Sequence, residues 1–108
     1  MSKRTIATLG ETLKKLRLGR KLPQRKVAAL LDIDTSILSK FEKDIRQPSD
    51  ELIEKIASIF NVSSDTLKFE AVTDKVAFKL IEDDIDTKTL RVAEGKVEYL
   101  KSKKKSSK

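Results

Sequence analysis

Cysteine, histidine and tryptophan are all absent from the 108 residues. Without cysteine there is no disulfide framework, no thiolate metal site and no thiol nucleophile. Without histidine the commonest metal ligand and general base are missing too, which excludes a zinc finger. Three glycines and two prolines are too few for the many turns of a small β-sandwich and favour an all-α chain. They also leave no glycine-rich loop to cradle a phosphate. The longest strictly apolar run is Val27 to Leu31, against the roughly 20 residues needed to cross a bilayer. The opening MSKRTIATLG has no apolar stretch of the secretory kind. The acidic run EDDID at 82–86 lacks the alternating ligands and turn glycine of a calcium loop. The expectation is a soluble cytoplasmic protein with one compact core, no membrane association, no metal or other cofactor, and no enzymatic activity.

Charge is abundant and unevenly placed. Residues 1–46 carry 12 Lys/Arg against 5 Asp/Glu, a net of +7. Residues 47–100 carry 7 against 12, a net of −5, and residues 101–108 add five lysines. A basic N-terminal half suits a protein that presents one face to phosphates.

The apolar spacing resolves into helices. Leu9, Leu13 and Leu16 mark one face of a first helix, Leu9 to about Arg20. Pro23 suits the first position of a second helix, which ends near Asp32 with Val27, Leu30 and Leu31 as its buried stripe. Ile33 plugs a short turn, and Asp34 is placed to cap a third helix, Thr35 to about Lys43. Ile37, Leu38 and Phe41 are its apolar set, while Thr35, Ser36, Ser39, Lys40 and Lys43 fall largely on the other side. A protein core has no use for five such residues. A major groove does, because Ser and Thr bond donors or acceptors and Lys reaches guanine or phosphate. Ser49 caps a fourth helix, Asp50 to Phe60, and Asn61 takes the left-handed turn after it. Ser63 or Ser64 starts a short fifth helix ending near Phe69. Thr73 or Asp74 caps a further helix to about Asp83, and Asp86 or Thr87 a last one to about Lys101.

Leu16-Arg17, Gln24, Val27-Ala28, Ile33, Leu38-Ser39, Glu42 and Pro48-Ser49 stand in an order that resembles the phage-repressor type of helix-turn-helix domain. This is the lambda repressor-like, XRE family, and the resemblance covers residues 9–69. It implies a five-helix DNA-binding domain with a C-terminal helical extension. It also implies that Thr35, Ser36 and Lys40 read bases, and that Arg25, Ser39, Lys43 and Arg46 bind phosphate. Gln24 is expected to bond phosphate and brace the recognition helix, and Arg17 with Glu42 to form an internal ion pair. Asp32 and Asp44 stand where the family often has glycine. Both positions call for left-handed backbone, which Asp tolerates better than most residues. Asp44 then brings a negative charge near the expected DNA surface. The recognition helix has no Arg, Asn or Gln, so specificity is expected to lean on Lys40, thymine methyl groups and DNA shape.

The expected organisation is a flexible basic arm at 1–8, the DNA-binding domain at 9–69, a helical extension at 70–100 and a disordered Lys-rich tail at 101–108. Leu90, Ala93, Val97 and Leu100 repeat at spacings of three, four and three, like a short coiled-coil seam. Gly95 weakens that helix by about 1 kcal/mol relative to Ala. The seam either dimerises the chain or packs back on Phe69, Val76 and Leu80. The leading expectation is a dimeric, sequence-specific regulator of transcription bound to double-stranded DNA. The alternative is an interaction module, such as an antitoxin, that binds a partner protein through 70–100 and represses its own operon.

Overall fold

The computed structural model describes residues 6–106. Six helices and no strand occur among them: α1 Leu9–Gly19, α2 Gln24–Leu31, α3 Thr35–Glu42, α4 Asp50–Phe60, α5 Ser64–Glu82 and α6 Thr87–Ser106. The chain divides into two units, Met1–Lys75 and Val76–Lys108.

In the first unit each helix turns a short apolar set inward. Leu9, Leu13, Val27, Ala28, Leu31, Leu38, Phe41, Ile53, Ile56, Ala57, Phe60, Leu67 and Ala71 form one buried cluster. Small Ala28 and Ala57 let helices approach closely. Leu30, placed in the buried stripe by its spacing, is instead 55% exposed. Over the two turns of α2 the inward face is filled by Val27, Ala28 and Leu31.

Helix starts follow side-chain chemistry, with exceptions. Thr8 and Glu11 form a reciprocal capping box on α1, and Ser49 accepts from Leu52 N on α4. Pro23 and Asp34 occupy cap positions, but neither gives its helix a side-chain cap bond. Pro23 therefore lies just before the first helical residue instead of being it.

Helix ends are more uniform. Lys21, Asp32, Asp44, Asn61 and Asp84 all have left-handed backbone, with φ of 57°, 59°, 62°, 54° and 55°. In each case the next residue is aliphatic, and its N–H donates to a carbonyl five residues back. These bonds run Leu22 to Arg17, Ile33 to Ala28, Ile45 to Lys40, Val62 to Ala57 and Ile85 to Leu80. That is the Schellman closure, with short polar Asp or Asn at four of the five left-handed positions.

Two expectations about the C-terminal region are corrected. A single helix, α5, runs where a helix ending near Phe69 and a second one from Thr73 or Asp74 were expected. Residues 69–75 contain no glycine or proline to break it. The Thr73 hydroxyl folds back onto Phe69 O and Glu70 O, and the Asp74 carboxylate accepts from Leu9 N at 2.7 Å. Neither side chain is left to cap a new helix. Residues 101–106, expected as part of a disordered tail, continue α6. Lysines at a helix C-terminus are favoured by the macrodipole. Residues 1–5 of the expected arm and 107–108 of the expected tail lie outside the described residues.

Candidate nucleic-acid interface

The helix–turn–helix formed by α2 and α3 is held from behind by one buried carboxylate. Glu42, 7% exposed, accepts from Arg17 Nε at 2.7 Å, Arg17 Nη2 at 2.9 Å and Gln24 Nε2 at 2.9 Å. Arg17, 8% exposed, also donates Nη1 to Leu22 O. The structure thus brings Arg17, Gln24 and Glu42 together and ties α1, α2 and α3 at one point. The hydrogen bonds to Glu42 push the Arg17 pKa above its ordinary value, against the desolvation that would lower it. A charge-assisted fork of this kind fixes orientation as well as position. Gln24 is half-buried with its amide nitrogen committed to Glu42, so bracing is the role its geometry displays.

The outer side of α3 is different. Leu38 and Phe41 are buried and Ile37 is half-buried, while Thr35, Ser36 and Lys40 are exposed. Ser39 is half-buried at the margin; Arg25, Lys43 and Arg46 are exposed around it. The side chains of Thr35, Ser36 and Lys40 form no hydrogen bond or ion pair within the described residues. At the N-terminus of α2 no side chain caps the first amides, and uncapped amides at such an end suit an anion. No group of His, Cys, Asp or Glu able to hold a metal occurs among the described residues, nor a helix long and apolar enough to cross a membrane.

Asp44 corrects an expectation. Its carboxylate is not presented to the outside: Oδ1 accepts from Gly10 N at 3.0 Å and Oδ2 from Thr8 Oγ1 at 2.7 Å. The charge lies at the positive end of α1, where it is stabilised. The left-handed turn at Asp44 thereby anchors the loop that carries Lys43 and Arg46.

Several supporting residues were not singled out from the sequence. Gly10 is one. A Cβ there would stand 2.4 Å from Phe41 O and 2.9 Å from Glu42 O, so α1 meets the C-terminal end of α3 backbone to backbone. Arg20 is another, donating to Ile59 O and Phe60 O at the end of α4, with its guanidinium 5.4 Å from the Phe60 ring centre. Glu70 is a third, holding Thr12 Oγ1; beside it Asp74, expected only as a helix cap, holds Leu9 N. Burial raises the pKa of both carboxyls; the bonds from Leu9 and Thr12 oppose the rise, and neighbouring carboxylates add to it. A single glycine or acid in a charged helix gives no signal of contacts some 30 to 65 residues away.

Among the seam residues, Leu90 is half-buried and Ala93, Val97 and Leu100 are exposed. Of Phe69, Val76 and Leu80, against which they were alternatively expected to pack, the first two are 69% and 53% exposed and Leu80 is half-buried.

Known proteins resemble this arrangement. The HTH-type transcriptional regulator ImmR of Bacillus subtilis (strain 168) is 34% identical over 86 residues, covering 80% of this chain. The chain spans 65% of ImmR's length. The master regulator for biofilm formation SinR, solved in complex with DNA, superposes with a TM-score of 0.51 at 26% identity, over 56% of this chain and 97% of that one. A SinR/SinI protein complex gives a TM-score of 0.51 at 22% identity, over 88% of this chain and 99% of that one, and speaks for the fold alone. Residues 13–67, just over half of the chain, match the helix-turn-helix family. With the buried Arg17–Glu42–Gln24 tie behind an exposed polar α3, the chain belongs to that family, in its phage-repressor (XRE) branch.

Proposed function

We propose that this chain is a cytoplasmic, sequence-specific regulator of transcription that lays α3 into the major groove of double-stranded DNA. The observation that carries the reading is the division of α3 into two sides. Glu42 and the apolar set fix the inner side, while Thr35, Ser36 and Lys40 stand outward with no task in the fold. In this reading Thr35 and Ser36 bond base edges and Lys40 reaches guanine O6/N7. Gln24, Arg25, Ser39, Lys43 and Arg46 hold the flanking phosphates, Gln24 with the amide hydrogen that Glu42 does not take. ImmR's name and the DNA bound by SinR support the class of ligand.

Two copies bind together. The support is the C-terminal unit, where Val76, Ile81, Val92, Val97, Tyr99 and Leu100 are each about half or more exposed. Recognition helices about one helical turn, roughly 34 Å, apart would read a near-palindromic site. A second reading, a different partner protein on the same unit, draws on the same side chains.

Selection of bound duplexes from a random library by the full-length protein, at near-physiological salt, tests the reading. Enrichment of a two-fold symmetric motif is expected. Binding without enrichment that vanishes as salt rises would leave electrostatic adhesion alone and overturn it.

A further inference from the structure

α6 is apolar on two sides. Leu90, Ala93, Val97 and Leu100 line one side. Val92 and Tyr99, with Gly95 between them, lie about half a turn round the helix at roughly 100° per residue. Within the second unit Leu80 and Leu90 are the residues that are half-buried, while Val97 and Leu100 on the Leu90 side are 49% and 57% exposed. Val92 and Tyr99 are 55% and 62% exposed. Gly95 weakens the helix, yet nothing lies within 4 Å of where its Cβ would stand. The single chain draws no benefit from the missing side chain, whereas a second backbone crossing at that point would. Arg91 comes four residues before Gly95 and Glu98 three after, opposite in charge, and both line a shallow hollow at Gly95 together with Glu94 and Val97.

We propose that this face pairs with the same face of a second copy, the two α6 helices antiparallel and the two-fold axis passing through Gly95. The proposal rests on the dimer of the preceding reading and is independent of its DNA site. An antiparallel two-fold exchanges positions before the axis with positions after it. Val92 of each copy then packs on Tyr99 of the other. Arg91 of each copy falls beside Glu98 of the other, offset along the helices by about one residue rise of 1.5 Å. Two ion pairs flank a close crossing. A parallel pairing would instead set Arg91 on Arg91 and Glu98 on Glu98.

The absence of native cysteine allows the geometry to be read by oxidative cross-linking of single-cysteine, full-length protein without DNA. Gly95→Cys lies on the axis and is expected to give a disulfide-linked dimer, since bridged Cα atoms sit about 4.4–6.8 Å apart. Val92→Cys alone is not, because its two copies are separated by roughly 9 Å along the helices. A mixture of Val92→Cys and Tyr99→Cys gives the mixed dimer. Glu98→Arg weakens self-association roughly tenfold, and Arg91→Glu combined with Glu98→Arg restores it. Cross-linking through Val92→Cys alone, or through Ala93→Cys in place of Gly95→Cys, overturns this face while leaving a dimer. A monomer at every concentration in sedimentation overturns the dimer itself. Neither outcome bears on base reading, which the library selection decides separately.

Discussion

Between Leu9 and Asp74 every helix hides one side; from Val76 onward Leu80 and Leu90 are the only described residues that are even half-buried. Both stretches are helical and both contain aliphatic side chains at helical spacing. What separates them is long-range polar closure. In the first unit Arg17 reaches Glu42, Asp74 reaches Leu9 and Asp44 reaches Gly10. In the second, Lys79 stands 4.0 Å from Glu82 and 3.7 Å from Asp83, along its own helix, and Asp86 caps Thr89. Apolar spacing makes a helix amphipathic; it does not supply the surface that the apolar side covers. The first unit contains its own cover. The second leaves Val76, Ile81, Val92, Val97, Tyr99 and Leu100 about half or more exposed.

The comparison breaks first if the first unit is less tightly closed than described. Gly10→Ala would drive a Cβ into two backbone carbonyls and is expected to cost about 3 kcal/mol or more in urea unfolding. An unchanged midpoint would mean that α1 and α3 are not so closely apposed. Glu42→Ala leaves Arg17 buried without its partner and should cost roughly 3 kcal/mol. Arg17→Met with Glu42→Leu should cost much less in stability, yet release Gln24 and weaken DNA binding. Equal losses from the single and double changes would refute the ion-pair account. On the outer side of the same unit, Lys40→Ala should leave the thermal midpoint alone. It should reduce discrimination between selected and random DNA by about 1–3 kcal/mol, and equal losses on both DNAs would contradict base reading.

Smaller effects sharpen the contrast. Glu70 Oε1 is buried without a hydrogen-bond partner, and burial raises the pKa of this carboxyl. Protonation is thus favoured in the folded chain. The stability it brings is complete below the ordinary carboxylate pKa and lost as the pH rises through the raised one. Glu70→Gln should therefore stabilise the protein at neutral pH, by below about 1 kcal/mol, with the gain fading on acidification. A gain that is independent of pH would point to packing instead. The smallest expected change is in the stability of a fragment ending at Phe78. Its midpoint should stay within a few degrees of the full chain's while self-association disappears. A fragment that fails to fold would erase the distinction between the units.

Much of the fold was legible because its signals are local. Asp32 before Ile33 and Asn61 before Val62 announce left-handed closures, and Ser49 three residues before Leu52 announces a cap. The spacing from Gln24 to Ser49 carried the family. The run from Phe69 to Asp74 misled, because Thr and Asp are cap residues wherever they stand. Only the approach of Leu9, 65 residues earlier in the chain, assigns Asp74 its work. Asp44 misled for the same reason, since its partners on α1 lie 34 and 36 residues away. Leu30 shows a subtler limit: in a helix of eight residues three positions suffice for the inward side, and the spacing does not say which apolar residue is surplus.

The separation of inner from outer side in α3 has an evolutionary consequence. Thr35, Ser36 and Lys40 hold nothing inside the protein; on the proposed reading, in which they meet bases, they can be exchanged one at a time without the scaffold registering the change. Gene duplication followed by drift at these three positions would yield sister proteins of equal foldability and divergent targets. The carboxylate of Glu42, bound by both Arg17 and Gln24, is the position at which such drift must stop.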